Sequence, residues 1–321
     1  MTLLDVRNMT IRIETQNGSL RAVHGLDLVL KSGEVLGIVG ESGCGKSMAT
    51  LGILDLLPKS AIRTADRILF DGRDLATFSA AAMRTVLGND IGMIFQDPMT
   101  ALNPTYTIGN QLIEVYLRHR GGPRRVAEER AIWLLNRVGV SAAKSRLGQY
   151  PHQLSGGLRQ RVVIAQALMC EPKLIVADEP TTALDVTVQA QILRLIKDIQ
   201  ADIDAGVIII THDLGVVAQM ADRVLIMYAG EAVETGTTAR VLTTPRHPYT
   251  HGLLSCLPHP DASGPLGQIR GIVPSLLDDP AGCPFRTRCL SALEACRQEI
   301  PLHAATQDHT WRCVLSAGST P

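Results

Sequence analysis

The residues Gly40-Glu41-Ser42-Gly43-Cys44-Gly45-Lys46-Ser47 satisfy the spacing G-x-x-x-x-G-K-[ST] at every fixed position. Glycines at those places let the backbone curl until successive N–H groups point inward at phosphate oxygens. A lysine so placed reaches the β- and γ-phosphates of a nucleotide, and the hydroxyl that follows suits Mg²⁺. The segment therefore reads as a site for ATP and Mg²⁺, with Lys46 on the phosphates and Ser47 in the metal shell. A glycine-rich turn without a ligand is the bland alternative, and the flanks argue against it. The apolar run Val35-Leu36-Gly37-Ile38-Val39 leads in, and residues 48–54 can open a helix whose N-terminus adds a positive dipole end. Cys44, inside the loop, reads as a small filler, with a site sensitive to alkylation as the other reading.

Two further runs end in polar residues suited to the same ligand. Leu174-Ile175-Val176-Ala177 closes on Asp178-Glu179, and Val207-Ile208-Ile209-Ile210 closes on Thr211-His212. Ligands of open α/β sheets bind at the C-terminal ends of strands, so both carboxylates should face the nucleotide. Asp178 suits the Mg²⁺ shell, and Glu179 suits a base that polarises the attacking water. His212 taken alone reads as a packed or solvent-facing residue, although an imidazole at a strand end can donate to a γ-phosphate.

Short, continuous apolar runs of this kind are the mark of buried parallel strands, and helix-like segments separate them. Residues 188–199 carry Ile192, Leu195, Ile196 and Ile199 at helical spacing. The pattern predicts an α/β fold with both sheet faces covered. Ahead of it, residues 3–38 alternate β-type runs with turns. Between about 100 and 165 strand signals vanish, and 108–118 and 125–138 read as helices, a helical insertion in the core. Near 244 Pro245, Pro248, Pro258, Pro260, Pro265, Pro274 and Pro280 crowd together, which predicts a boundary and an extension over 245–321.

Composition narrows the partners. Lys plus Arg and Asp plus Glu number 31 each, so no basic field exists for sequence-independent binding to nucleic acid. No apolar run approaches the roughly 20 residues needed to cross a bilayer, and Met1-Thr2-Leu3-Leu4-Asp5 is unlike a signal peptide. The expectation is a soluble, cytoplasmic chain that reaches a membrane only through partners.

Leu154-Ser155-Gly156-Gly157-Leu158-Arg159-Gln160-Arg161 resembles the signature motif of the ABC ATPases. Gln96, in Ile94-Phe95-Gln96-Asp97-Pro98, resembles the Q-loop residue; Ala183-Leu184-Asp185 resembles the D-loop, and Thr211-His212-Asp213 the switch histidine. The resemblance runs in order over 1–240. It implies a P-loop (RecA-like) ABC nucleotide-binding domain over 1–244, with its helical subdomain at about 100–165 and an irregular, cysteine-containing extension over 245–321. It also implies catalysis by a head-to-tail pair. Ser155, Gly156 and Gly157 would grip the γ-phosphate held by the partner's loop, with Asp185 at the same junction. Gln96 would join Ser47 and Asp178 around Mg²⁺ and act with Glu179 and His212 in catalysis. One departure stands out: residues 15–21 lack the aromatic on which family members stack adenine. Arg21 either stacks by its guanidinium plane or is a solvated surface residue.

Four stretches resemble the oligopeptide/dipeptide/nickel importer branch in particular. They are residues 95–104, residues 150–157, Thr211-His212-Asp213-Leu214-Gly215-Val216-Val217 and His247-Pro248-Tyr249-Thr250. That branch implies a second ATPase subunit, often a paralogue, two transmembrane permeases and a periplasmic or lipoprotein solute-binding protein. The chain would then sit peripherally on the cytoplasmic face of the inner membrane and power peptide import. The rival readings are another transporter branch (nickel, another small solute, or export), a non-transport ABC protein, or a regulatory module.

Cys283, Cys289, Cys296 and Cys313 follow C-x5-C-x6-C-x16-C. Thiolates are soft ligands for iron–sulfur clusters or zinc, and structural zinc usually takes a tighter C-x2–4-C pair, which this spacing lacks. The tail also resembles that of the dipeptide-importer branch, which implies a 4Fe–4S cluster, with Zn²⁺ the alternative and free or oxidised thiols the remaining reading. Cys170 and Cys256 read as ordinary apolar positions; His303 and His309, near the cysteines, could ligate metal but read better as solvent-facing.

Overall fold

A computed structural model describes residues 1–181, 185–257, 267–275, 277, 281–306 and 308–315. Ala183 and Leu184 of the expected D-loop, and Pro258, Pro260, Pro265 and Pro280, lie outside the described residues. The chain folds as two compact units that interleave along the sequence: Met1–Leu3, Leu30–Val35 and Thr77–Ile210 form the first, Leu4–Val29, Leu36–Ala76 and Thr211–Pro321 the second.

In the first unit the strands Ile91–Ile94, Leu174–Asp178 and Gly206–Thr211 run parallel, with Ile91 opposite Leu174 and Asp178 opposite Ile210. Every residue of Leu174–Asp178 is buried, as its unbroken apolar run requires of a strand covered on both faces. Helices Pro98–Ala101, Ile108–Arg120, Arg124–Arg137, Ala143–Arg146 and Gly156–Ala167 fill the stretch between the first two strands. The two helices expected there form within two residues of the sequence bounds. Thr107 opens Ile108–Arg120 by accepting from the Asn110 amide at 3.3 Å, and Gly121, at φ 67°, ends it. Ala127, Ala131, Leu134 and Leu135 form the buried stripe of Arg124–Arg137, at the 3.6-residue period of an amphipathic helix. Helix Val186–Ile203 covers the expected 188–199 and begins on Asp185, whose carboxylate accepts from the Val188 amide at 2.9 Å.

The second unit has two sheets. One runs in the order Gly18–Lys31, Thr2–Thr15, Arg67–Phe70, Arg73–Asp74, with Ala61–Thr64 also on Thr2–Thr15. In the other, Val35–Val39 lies parallel to Arg223–Tyr228; Glu231–Thr237, His309–Arg312 and Leu302–Thr306 follow antiparallel. The tail thus supplies the last two strands, besides the helix Pro248–Ser255. Its Tyr249, Cys283, Phe285, Cys296 and Ile300 pack in one core with Val39, Val224, Ile226 and Tyr228.

Two sequence expectations are corrected here. His309 is 2% exposed, and its Nε2 lies 2.8 Å from Glu234 Oε1. Glu234 also accepts from the amides of Arg246 and His247, at 2.8 and 2.9 Å. A buried carboxylate must fill its acceptor sites, and the tail's histidine is drawn inward to do so. Arg21 is likewise buried, and its guanidinium pairs with Glu231 at 3.1 Å. It is neither a solvated surface residue nor a guanidinium plane held open for stacking.

Candidate functional site

The glycine-rich loop lies in the second unit, between strand Val35–Val39 and helix Lys46–Ile53. Gly45 caps the helix at φ 101°, and a Cβ there would stand 2.3 Å from the Ala22 carbonyl oxygen. Only glycine meets both conditions. A Cβ on Gly40 would meet the Met227 carbonyl oxygen at 2.2 Å, so that backbone too must approach closely. Lys46 is buried, and its ammonium donates to the carbonyls of Gly40 and Glu41 at 2.8 and 2.9 Å. The charge is thereby held inside the curl of the loop, while Ser42 and Gly43 stand exposed at its tip. Cys44 is fully buried, and burial pushes its thiol pKa up despite nearby Lys46, which favours the filler reading over a reactive thiol. His212, also in this unit, is exposed directly ahead of helix Leu214–Met220.

The first unit carries the remaining candidates. Asp178 is buried at the end of its strand. Glu179 follows at φ 43°, a left-handed conformation uncommon for a residue with a Cβ, and its amide donates to the Ile210 carbonyl at 2.9 Å. The Gln96 amide nitrogen donates to Glu179 Oε2 at 3.0 Å, so two candidates 83 residues apart form one polar pair. Ser155 caps helix Gly156–Ala167 by accepting from the Leu158 amide at 3.4 Å. Ser155 and Gly156 are exposed and Gly157 partly so, which presents the positive end of the helix to solvent. Asp185 is exposed at the head of its own helix.

Contacts around the phosphate loop include residues that sequence reasoning did not assign. The Tyr249 hydroxyl accepts from the Glu41 amide at 3.0 Å. Arg288 Nη1 donates to both carboxylate oxygens of Glu41, at 3.0 Å each, and to the Tyr228 hydroxyl at 3.2 Å. Burial opposes the charge on Arg288, but the bonds to Tyr228 and Glu41 outweigh it and hold its pKa above the usual range. Tyr249 lies in a stretch already singled out, His247-Pro248-Tyr249-Thr250. Arg288 directly precedes Cys289 within the cysteine pattern, and nothing local ties it to the phosphate loop.

The four tail cysteines reach the walls of one small cavity, shared with His247 and Phe285. Cys283 Sγ lies 3.9 Å from His247 Nε2. Burial pushes the thiol of Cys283 up to about 12 and raises those of Cys289 and Cys313. Among the described residues no three His, Cys, Asp or Glu side chains converge closely enough to hold a single metal ion. The four thiols are soft donors by type, but they are not drawn together as metal ligands. Cys170 is buried and Cys256 partly so.

Comparisons with known proteins agree with this arrangement. The ABC transporter family model matches residues 23–182, and that of the oligopeptide/dipeptide transporter C-terminal region matches 233–296. The dipeptide transport ATP-binding protein DppD of Bacillus subtilis is 50% identical over 316 residues, 98% of this chain and 94% of that protein. The oligopeptide transport ATP-binding protein OppD of the same organism is 48% identical, over 96% of this chain and 87% of its own. DppD of Escherichia coli is 46% identical, over 94% of this chain and 92% of its own. Among solved structures, a dimeric ATP-binding cassette in a post-hydrolysis state bound to ADP and Pi superposes with a TM-score of 0.64 at 27% identity, covering 73% of this chain and 98% of that one. With both family matches in order and near-half identity over almost its whole length, the chain belongs to the ATP-binding subunits of the ABC-type dipeptide and oligopeptide transporters.

Proposed function

We propose that this chain hydrolyses ATP to power import of di- or oligopeptides across the bacterial inner membrane. The observation that carries the reading is the join of an ABC cassette to the peptide-transporter C-terminal region in one chain. Lys46 and the loop amides bind the phosphates. Ser47, Asp178 and Gln96 would hold Mg²⁺, which draws charge off the β- and γ-phosphates when bound. Glu179, oriented by the amide of Gln96, takes the proton of the attacking water, and His212 donates to the γ-phosphate. Ser155, Gly156, Gly157 and Asp185 act on nucleotide held by a second ATPase subunit. Residues 1–244 form the catalytic cassette in this scheme, its helical part at 100–165, and 245–321 the extension. Two permeases hold the pair on the cytoplasmic face, and a solute-binding protein delivers the peptide. No described helix is long and apolar enough to cross a membrane; in this reading the permeases supply the attachment.

Glu179→Gln in the assembled transporter should retain ATP binding and lose steady-state turnover. Wild-type phosphate release by that variant would refute the assigned base.

The tail cysteines are assigned to a 4Fe–4S cluster, with Zn²⁺ as the alternative. The reading rests on four thiols that line one cavity and on their soft-ligand chemistry. Anaerobically purified chain should be brown and carry iron with sulfide; a colourless preparation with one zinc per chain overturns the assignment.

A further inference from the structure

Arg288 comes from the tail, next to Cys289, and reaches the phosphate loop across 247 positions of sequence. Its side chain is 5% exposed. Nη1 makes the two bonds to Glu41 described above, and Nε donates to the Arg270 carbonyl at 2.9 Å. The guanidinium carbon lies 5.7 Å from the Tyr228 ring centre and 6.0 Å from that of Phe285. Phe285 in turn contacts the rings of Tyr228 and Tyr249 at 5.2 and 5.3 Å. Three guanidinium nitrogens spread their bonds over Glu41, the Tyr228 hydroxyl and the carbonyls of Ile269 and Arg270, a set that a simple point charge would not reproduce.

Glu41 is the puzzle that Arg288 answers. It is the second residue of the phosphate loop, its backbone already committed to Tyr249 and Lys46, and its side chain 28% exposed. A carboxylate there has the wrong sign for a loop that must hold a polyphosphate, since like charges at close range repel strongly where water is partly excluded. We infer that Arg288 is a positioning residue for nucleotide binding: it cancels the charge of Glu41 and fixes its side chain, so the C-terminal extension completes the electrostatics of the phosphate loop. The proposal rests on the reading of residues 40–47 as the ATP site.

Charge arithmetic makes the test specific. The Arg288–Glu41 pair sums to zero; Arg288→Gln leaves the loop one charge more negative, Glu41→Gln one more positive, and the double variant returns it to zero. ATP, ADP and AMP affinities of the full-length chain, measured by calorimetry at low ionic strength, should follow that order. Arg288→Gln should weaken ATP on the order of tenfold, with smaller losses for ADP and AMP. Glu41→Gln should tighten ATP by several-fold, and the double variant should lie within about twofold of wild type. A purely structural role would weaken binding in all three variants, and that result overturns the proposal. So does a wild-type affinity in Arg288→Gln. Should Arg288→Gln not fold, Glu41→Gln still decides: tighter ATP binding supports the inference, unchanged or weaker binding removes it. A wild-type chain that fails to bind ATP would bring down the phosphate-loop reading itself, a distinguishable failure.

Discussion

His247 caps helix Pro248–Ser255 with its ring, Nδ1 accepting from the Tyr249 amide at 3.1 Å. An accepting nitrogen must be unprotonated, so this cap needs the neutral imidazole. Burial lowers the pKa to about 4; nearby Glu234 pulls the other way, and His251 adds to the lowering. The folded value lies below the unfolded value of about 6.5, so the unfolded chain binds the extra proton first as pH falls. The stabilisation is complete above pH about 6.5 and disappears down to about 4, a loss of roughly 3 kcal/mol at most. Urea midpoints between pH 7 and 4.5 should therefore fall more steeply for the wild type than for His247→Asn; parallel slopes would contradict this account. Glu179 shows the same dependence of chemistry on geometry, since its left-handed φ and its bond from Gln96 set where the carboxylate points. Holding a non-glycine residue there takes support from its surroundings, which the bond from its amide to Ile210 supplies.

At the scale of elements, the longer helices between 98 and 167 bury apolar stripes, and the segment leaves large apolar side chains outward on helix and loop alike. Tyr106 is 54% exposed and Trp133 53%, on the same unit as the exposed Phe95 and Tyr150. Aromatic residues left in solvent mark protein contacts more often than chance placement. As an ATP-binding subunit of a peptide transporter the chain has membrane permease partners, and a permease segment is the contact these side chains suit. Tyr106→Glu should leave the melting temperature of the isolated chain within a degree or so, since surface substitutions shift stability little. It should also reduce the permease recovered with the tagged chain from membranes. Undiminished recovery would place the contact elsewhere. The opposite design holds at the helix heads: Ser155 and Asp185 cap their helices and stay exposed, so one residue both starts a helix and offers polar groups at its positive end.

Over the whole molecule, the boundary near 244 marks a change in composition without separating two cores. The tail places Phe285 against Tyr228 and Tyr249 and adds strand His309–Arg312 to Glu231–Thr237. Tail and phosphate loop therefore lie in one compact unit, joined by Tyr249, Arg288 and Glu41. Phe285 lies between Cys283 and Cys289 in sequence and lines the cysteine cavity with them. Packed rings and the Arg288–Glu41 ion pair lie between that cavity and the loop.

What could be read without coordinates was whatever local chemistry dictates. The curl of residues 40–47 follows from glycines and a lysine at fixed spacing, the strands at 174–178 and 206–211 from unbroken apolar runs, and the helices from a 3.6-residue period. Those signals lie within a dozen residues, so a linear text retains them. The tertiary structure alone decided which distant side chains pair: Gln96 with Glu179, Arg21 with Glu231, His309 with Glu234, Arg288 with Glu41. Each is a polar contact with no periodicity, made only when packing brings distant groups together; where packing also buries the charge, as at Glu234, burial demands a partner. The sequence names such groups as polar; only folding chooses their partners.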